Sequence, residues 1–368
     1  MKPKILVTSA AGNTGFPVAK QLLEKGHEVR AFVHRPSGRA EQLRKAGAEI
    51  FTGNMLDIRD VRRALAGVQR AYYAAPVAPN HLHTGVIFAA AANEARLETV
   101  TKMTQWFSQP VHPSFYTREH WLTDEVMAWM PNVDVVTINP SIFADFYFYL
   151  LAPIAQLGMF AMPLGDSLNA PPSKEDMARV AVGTLADPAA HVGKYLRPTG
   201  PALLSPTDMA EIFSKVFERR VKYMNVSHNM FLKAATALGL PPFAISQARF
   251  YNEEHQRGAP ALNAPNDVVR EVGGREPEDF ETIARRYKAE RPEAVQSFGN
   301  KLRALAFFAR MVLTPTPDME RYERGQNHAA IENPAYSMET REWLASHEPQ
   351  AAIGPRAKVG SAPLQASA

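Results

Sequence analysis

Ile5-Leu6-Val7-Thr8-Ser9-Ala10-Ala11-Gly12-Asn13-Thr14-Gly15 decides how the whole chain is read. An apolar run feeds a loop with two glycines, and a helical pattern follows, with Val18, Leu22 and Leu23 on its apolar side and Gly26 as its stop. That order, strand then loop then helix, predicts a dinucleotide-binding βαβ unit. Without Cβ atoms, Gly12 and Gly15 let backbone approach a pyrophosphate closely, and a helix starting near Gly15 points its N-terminal amides at the phosphates. Glu28 to His34 then makes a second strand, and Arg35 follows it directly. An NAD-selective unit places Asp or Glu about 20 residues past the glycines to bind the ribose 2′-hydroxyl. Here the residue is a cation flanked by His34 and Arg39, which favours a 2′-phosphate and therefore NADP(H). The loop is not a full GxGxxG: spaced as GxxGxxG, its first position is Ser9. Its place between strand and helix, more than its two glycines, carries the reading.

Working outward, strands and helices keep alternating. Ala48 to Thr52 is a third strand, the turn Gly53-Asn54-Met55-Leu56-Asp57 leads to a helix through Ala64 and Leu65, and Gly67 closes it. Ala71 to Pro76 is a fourth strand whose small end, Ala74-Ala75-Pro76, lets a loop pass close to the dinucleotide. An Ala-rich helix (Thr84 to Ala95) and a fifth strand (Glu98 to Met103) follow. This alternation predicts an α/β fold, a doubly wound parallel Rossmann sheet with a smaller C-terminal α/β substrate domain. The expected divisions are residues 1–150 for the Rossmann domain with later returning segments, 151–290 for the cleft domain, 291–348 for a helical extension and 349–368 for a disordered tail.

The 368 residues allow ample core, and a net charge of +4 with scattered Lys and Arg suits phosphate-bearing ligands as readily as nucleic acid. Absence of cysteine excludes disulfides, a thiol nucleophile and thiolate metal sites, and a reducing cytoplasm is the simplest home. Residues 142–162 are strongly apolar, but Asp145, Pro153 and Gln156 interrupt them, so they read as a buried wall and not a membrane span. Within that wall, Tyr147 and Tyr149 either supply polar tips to a substrate cleft or simply pack in a core helix. Leu203-Leu204-Ser205 is strand-like. His81 and His83 lack a third ligand by sequence, so no metal is expected and a solvated or capping role is the plain reading. Arg219, Arg220 and Lys222 carry no recognition motif; they read as a solvated face, with no nucleic-acid partner.

The Ala-Gly-Asn-Thr-Gly loop, Arg35, the Gly53–Asp57 turn and Thr137-Ile138-Asn139-Pro140-Ser141-Ile142-Phe143 together resemble the NmrA-like family of atypical short-chain dehydrogenases/reductases. Asp176 to Ala181 and Asp279 to Arg285 fit as well, so the resemblance covers roughly residues 1 to 290. It implies a domain binding NADP(H), a smaller domain closing over the cleft, and either a reductase or a protein that senses the dinucleotide and regulates partners. The residues expected at the cofactor are Thr8, Ser9, Gly12, Asn13, Thr14, Gly15, His34, Arg35, Asn54, Met55, Leu56, Ala74, Ala75, Pro76, Thr104, His120, Pro140 and Ile142. Three departures stand out: Ser9 for the usual glycine, Asn54 where Asp is common, and Asn139 where Arg is common.

Short-chain reductases usually pair a Ser or Thr after strand five with a Tyr and, four residues later, a Lys. Here Thr104 ends strand five and Tyr116 lies four residues before His120, on one face if both are helical. Arg118 to Glu125 resembles the family's His-x-x-Thr-Glu pattern, in which His takes the Lys position. These three residues are the candidate catalytic set. His120 is a weaker permanent cation than Lys, so any lowering of the Tyr116 pKa would depend on pH. Beyond Arg291 the resemblance fades. Phe298 to Leu313 holds Leu302, Leu305, Phe308 and Val312 at helical spacing among Lys301, Arg303 and Arg310. Docking on the body is the expectation; pairing between subunits (a homodimer), a protein partner or an anionic membrane are the alternatives. The function expected is NADPH-dependent reduction of a small carbonyl, quinone or enone in an apolar cleft; the alternative is a non-catalytic NADP-sensing regulator.

Overall fold

A computed structural model describes residues 2–328 and 330–347. Its strands are β1 (Lys4–Val7), β2 (Glu28–Val33), β3 (Glu49–Thr52), β4 (Arg70–Tyr73), β5 (Thr99–Met103), β6 (Asp134–Ile138), β7 (Met159–Met162), β8 (Tyr195–Leu196) and β9 (Lys222–Asn225). Seven of them form one sheet in the order β3-β2-β1-β4-β5-β6-β8, every pair parallel. The expected doubly wound α/β architecture is therefore present. Ile5, Leu6 and Val7 are fully buried, as a central parallel strand covered by helices on both faces must be. The strand order reverses between β1 and β4, which opens a crevice at the carboxyl ends of the strands, the usual ligand position in such sheets.

Two local choices position what lies in that crevice. Ser114 caps the helix Phe115–Ala128 by accepting from Thr117 N at 3.2 Å, so the helix begins before Tyr116 and keeps Tyr116 and His120 one turn apart. Gly85, inside the helix His81–Glu94, has no Cβ; one there would lie 2.6 Å from Thr123 Cγ2. The two helices can therefore close on each other at that point.

The smaller region is built on the parallel pair β7–β9 and on helices including Pro206–Phe217, Pro242–Gln256 and Phe280–Glu290. Its core is aromatic, with Phe148 stacked on Tyr287 at 4.0 Å and Phe160 edge-on to Phe213 at 5.3 Å. Between its segments β8 returns to the main sheet. Leu203 to Ser205 is not a strand; only an isolated antiparallel bridge joins Leu204 to Asn169. Tyr147 is not a cleft tip either. It is fully buried, its hydroxyl accepting from Asn169 Nδ2 at 2.8 Å and meeting His255 Nε2 at 3.1 Å.

The helix Phe298–Leu313 docks on the helices Leu151–Leu157 and His228–Ala237, but through Ala304, Phe307 and Met311. The row Leu302, Leu305, Phe308 and Val312, expected to be the docking face, is exposed. No helix among the described residues is long and apolar enough to cross a membrane. The tail expected to be disordered, 349–368, lies outside the described residues.

Candidate active site and dinucleotide cradle

The glycine loop is held by its own backbone and by the end of β4. Thr8 Oγ1 accepts from Ala74 N at 2.8 Å and donates to Ala74 O at 3.1 Å, and Ser9 Oγ donates to the same carbonyl at 2.8 Å. Ser9 sits at φ +48°, the left-handed region that costs a side-chain-bearing residue about 1–2 kcal/mol and explains why glycine is usual there. Its hydroxyl bond to Ala74 offsets part of that strain. A Cβ at Gly12 would lie 2.9 Å from Ser9 O, and one at Gly15 only 2.4 Å. The loop's own fold thus demands both glycines, a stronger reason than close approach to a phosphate.

The helix Gly15–Glu24 has no acidic residue in its first turn and Thr14 makes no side-chain cap, but Phe16 N donates to Gly12 O at 3.2 Å and Pro17 has no N–H, so the helix start offers an anion the Gly15 amide rather than a full turn of donors. Arg39 braces the loop: Nη1 donates to Asn13 Oδ1 at 3.1 Å and Ala11 O at 3.3 Å, and the guanidinium lies over the Phe16 ring at 5.4 Å. His34 and Arg35 are exposed, and Arg35 enters no ion pair among the described residues. Asn54 spends its side chain locally, accepting from Leu56 N at 3.0 Å, while Gly53 N donates to Val33 O at 3.0 Å and pins the turn beside β2. Met55 packs inward, whereas Leu56, 38% exposed, is the outer lip. Ala74 is buried, Ala75 is partly covered, and Pro76 is exposed. Pro140 and Ile142 act through backbone, accepting from Trp106 N at 3.0 Å and Asn169 Nδ2 at 2.7 Å. A free cation past β2, amides without acidic neighbours and a small-residue β4 end make a donor set that fits a dinucleotide with a 2′-phosphate.

The structure brings Thr104, Tyr116 and His120 together. Thr104 Oγ1 lies 3.3 Å from His120 Nδ1, and the Tyr116 and His120 rings meet edge-on at 4.6 Å. Behind them are residues that spacing did not single out. Thr104 donates to Asp124 Oδ2 at 2.9 Å, Ser108 donates to the same oxygen at 3.1 Å, and Lys102 pairs with Asp124 Oδ1. Because the single Thr104 hydrogen goes to the carboxylate, the imidazole donates through Nδ1 and leaves Nε2 as an acceptor. Lys102 is buried, and desolvation pulls its pKa down against the upward pull of Asp124. His81, expected to be solvated or capping, is instead buried against His120 with ring centroids 3.8 Å apart. His83 is exposed, and the described residues hold no group able to ligate a metal.

Electrostatics keep the His81 and His120 imidazoles and the Tyr116 phenol uncharged around neutrality. Burial lowers His81 to about 3, with Lys102 a smaller cause, and holds His120 well below the ordinary imidazole value, with His81 and Lys102 as smaller causes. Tyr116 is raised well above the usual phenol value, chiefly by burial. The expectation that His120 lowers the Tyr116 pKa therefore fails: a neutral imidazole offers no charge to do it. Glu119, buried and accepting from the backbone of Leu82 and His81, is pushed up to about 7 by desolvation. Signals for the missed residues existed in a Lys as the one charged residue of the strand Thr99–Met103 and an Asp four residues after His120.

A small apolar pocket opens nearby, lined by residues including Tyr149, Phe231, Leu238 and Ala248. The helix Pro242–Gln256 separates it from the cluster, Phe243 meeting Tyr116 edge-on at 5.3 Å. The C-terminal extension closes the other side: Ala335 N donates to Val111 O at 2.9 Å and Trp343 Nε1 to Trp106 O at 3.1 Å.

Comparison with known proteins bears on this geometry. Residues 1–100 match the model of the NmrA-like family. That first part of the chain is similar to the NmrA-like family. The chain is 26% identical over 291 residues to an NAD(P)H azoreductase of Xenophilus azovorans, covering 77% of this chain and 98% of that protein. The NADPH-dependent quinone oxidoreductase QOR2 of Escherichia coli, solved with NADPH, superposes with a TM-score of 0.66 at 20% identity, over 76% of this chain and 98% of that one. NmrA, a negative transcriptional regulator solved with NADP, superposes with a TM-score of 0.64 at 18% identity, over 77% and 94%. The NmrA-like likeness thus includes both enzymes and a regulator.

Proposed function

We propose that this protein is an NADPH-dependent oxidoreductase that reduces a small carbonyl, quinone or enone substrate in an apolar cleft. The observation that carries the reading is the chain Lys102–Asp124–Thr104–His120, which ends beside Tyr116 at the carboxyl end of β5, next to the cradle. Gly12, Asn13, Thr14 and Gly15, the last at the start of the following helix, would hold the pyrophosphate, with Arg35 on the 2′-phosphate and Arg39 bracing the loop. The bound dinucleotide would supply hydride. The chain's own residues supply the rest. Lys102 and Asp124 fix Thr104, Thr104 fixes His120 through Nδ1, and Nε2 is left as an orienting acceptor. Tyr116 keeps its proton at neutral pH and gives it up only as negative charge builds on the substrate oxygen. Trp106, Phe107 and Phe243 keep water out.

The azoreductase and quinone oxidoreductase relatives support the enzyme. One observation favours the second reading, an NADP-sensing regulator: Tyr116 and His120 are 3% and 8% exposed, which leaves a substrate little access without movement. Following NADPH oxidation across a panel of quinones and aldehydes separates the two; turnover is the expected result, and silence with intact NADPH binding selects the regulator. Calorimetry tests the cofactor assignment: NADPH should bind more tightly than NADH, and Arg35→Glu should weaken NADPH by roughly tenfold or more while sparing NADH.

A further inference from the structure

The helix Phe298–Leu313 carries two apolar faces. At 100° per residue, the docked residues Ala304, Phe307 and Met311 lie on one side, and Phe298, Leu302, Leu305 and Val312 lie opposite. The outer face is open to solvent along its length: Phe298 is 84% exposed, Leu302 57%, Leu305 48% and Val312 54%, with Leu313 83% exposed at the end. A stripe of this kind on a soluble surface marks an interaction site.

Its charge selects the partner. Lys301 lies along one edge of the stripe; Arg303 and Arg310 lie on the flank beyond the other edge, donating to Asn300 Oδ1 at 2.7 Å and to Ala237 O respectively, and the helix contains no Asp or Glu. Neither of the helices it packs on, Leu151–Leu157 and His228–Ala237, contains one. Lys233 sits at the same junction, its Nζ donating to Val312 O at 2.9 Å. Gln296 donates to Phe217 O at the start of the helix, where the neighbouring Glu218 is neutralised by Lys288 at 3.0 Å. Pairing this face with a second copy would bring like charges together beside the stripe. An anionic surface would instead neutralise them while taking the stripe into its apolar layer.

We propose that the Phe298–Leu313 helix docks the protein on an anionic lipid bilayer, lying in the interface plane with its outer stripe in the acyl boundary. The apolar pocket around Tyr149, Phe231 and Leu238 lies on the flank of the same helix packing, so an apolar molecule could pass to it from the bilayer.

The test is co-sedimentation of the full chain with phosphatidylcholine vesicles, with and without phosphatidylserine, alongside analytical ultracentrifugation of the protein alone. The expected result is binding to the phosphatidylserine vesicles only, weakened by salt. The double substitution Phe298→Ser and Leu302→Ser should reduce it by roughly tenfold or more. Lys301→Glu should weaken it more modestly, and neither variant should alter NADPH affinity. Both sites are on the surface, so an unchanged melting temperature confirms that they fold. Failure to bind phosphatidylserine vesicles overturns the proposal, as does binding that the double variant leaves unchanged. A concentration-dependent dimer abolished by the double variant, without vesicle binding, would assign the stripe to a second copy instead.

Discussion

The glycine loop and the Tyr116–His120 cluster sit at the carboxyl ends of β1 and β5, with β4 between them, yet they are built in opposite ways. The loop is backbone geometry: Ser9 in a left-handed turn, two glycines with no space for a Cβ, and cations left in water. The cluster is buried side-chain electrostatics, with imidazoles kept neutral, a carboxyl pushed up, and one Lys–Asp pair at its base. The loop should therefore be sensitive to added volume and indifferent to pH. The cluster should respond to pH and to loss of a single charge.

The largest expected break is acid. His81, His112, His120 and His255 all have their pKa lowered by burial, His255 to about 4 and His81 to about 3. Unfolded, each takes a proton near its ordinary value; folded, each resists. Stability is thus intact above about 6.5 and falls as pH drops, by about 1.4 kcal/mol per histidine per pH unit down to its folded value. Glu119, raised to about 7, works in the opposite sense: its contribution is complete below its unfolded value and is lost as pH rises through about 7, offsetting roughly one histidine. Urea midpoints should drop steeply from pH 6.5 to 5 and stay nearly flat from 7.5 to 8.5; a flat acid limb would mean that the imidazoles are solvated.

Next comes Asp124→Ala, which leaves Lys102 buried without its carboxylate and should cost about 3–5 kcal/mol in denaturant unfolding. Gly15→Ala is smaller, about 1–3 kcal/mol, the usual cost of overpacking, taken up as distortion of the loop backbone where the new Cβ meets Ser9 O and Thr8 O. Its signature is disproportionate loss of NADPH affinity at a modest change in melting temperature.

The same contrast explains what was legible in the sequence. Parallel strands covered on both faces are apolar throughout, so β1 and β2 and the doubly wound order could be read directly. Glycines in a loop between a strand and a helix and a cation after a strand are local signals, and Gly12, Gly15 and Arg35 were read from them. The cluster is tertiary. Lys102 comes from β5 and Asp124 from a helix, and His81 reaches them only because Gly85 lets two helices close at Thr123. Helical spacing paired Tyr116 with His120 correctly, but it could not show that burial would strip the imidazole of charge. The amphipathic helix misled for a related reason: Phe298–Leu313 has two apolar faces, and periodicity cannot say which of them the body covers.

The most direct test is single-turnover reduction of a quinone at saturating NADPH, comparing the wild type with Tyr116→Phe. The proposed division of labour predicts a clear loss of rate with NADPH affinity unchanged. An unchanged rate would contradict it, making Tyr116 structural and leaving the proton to solvent.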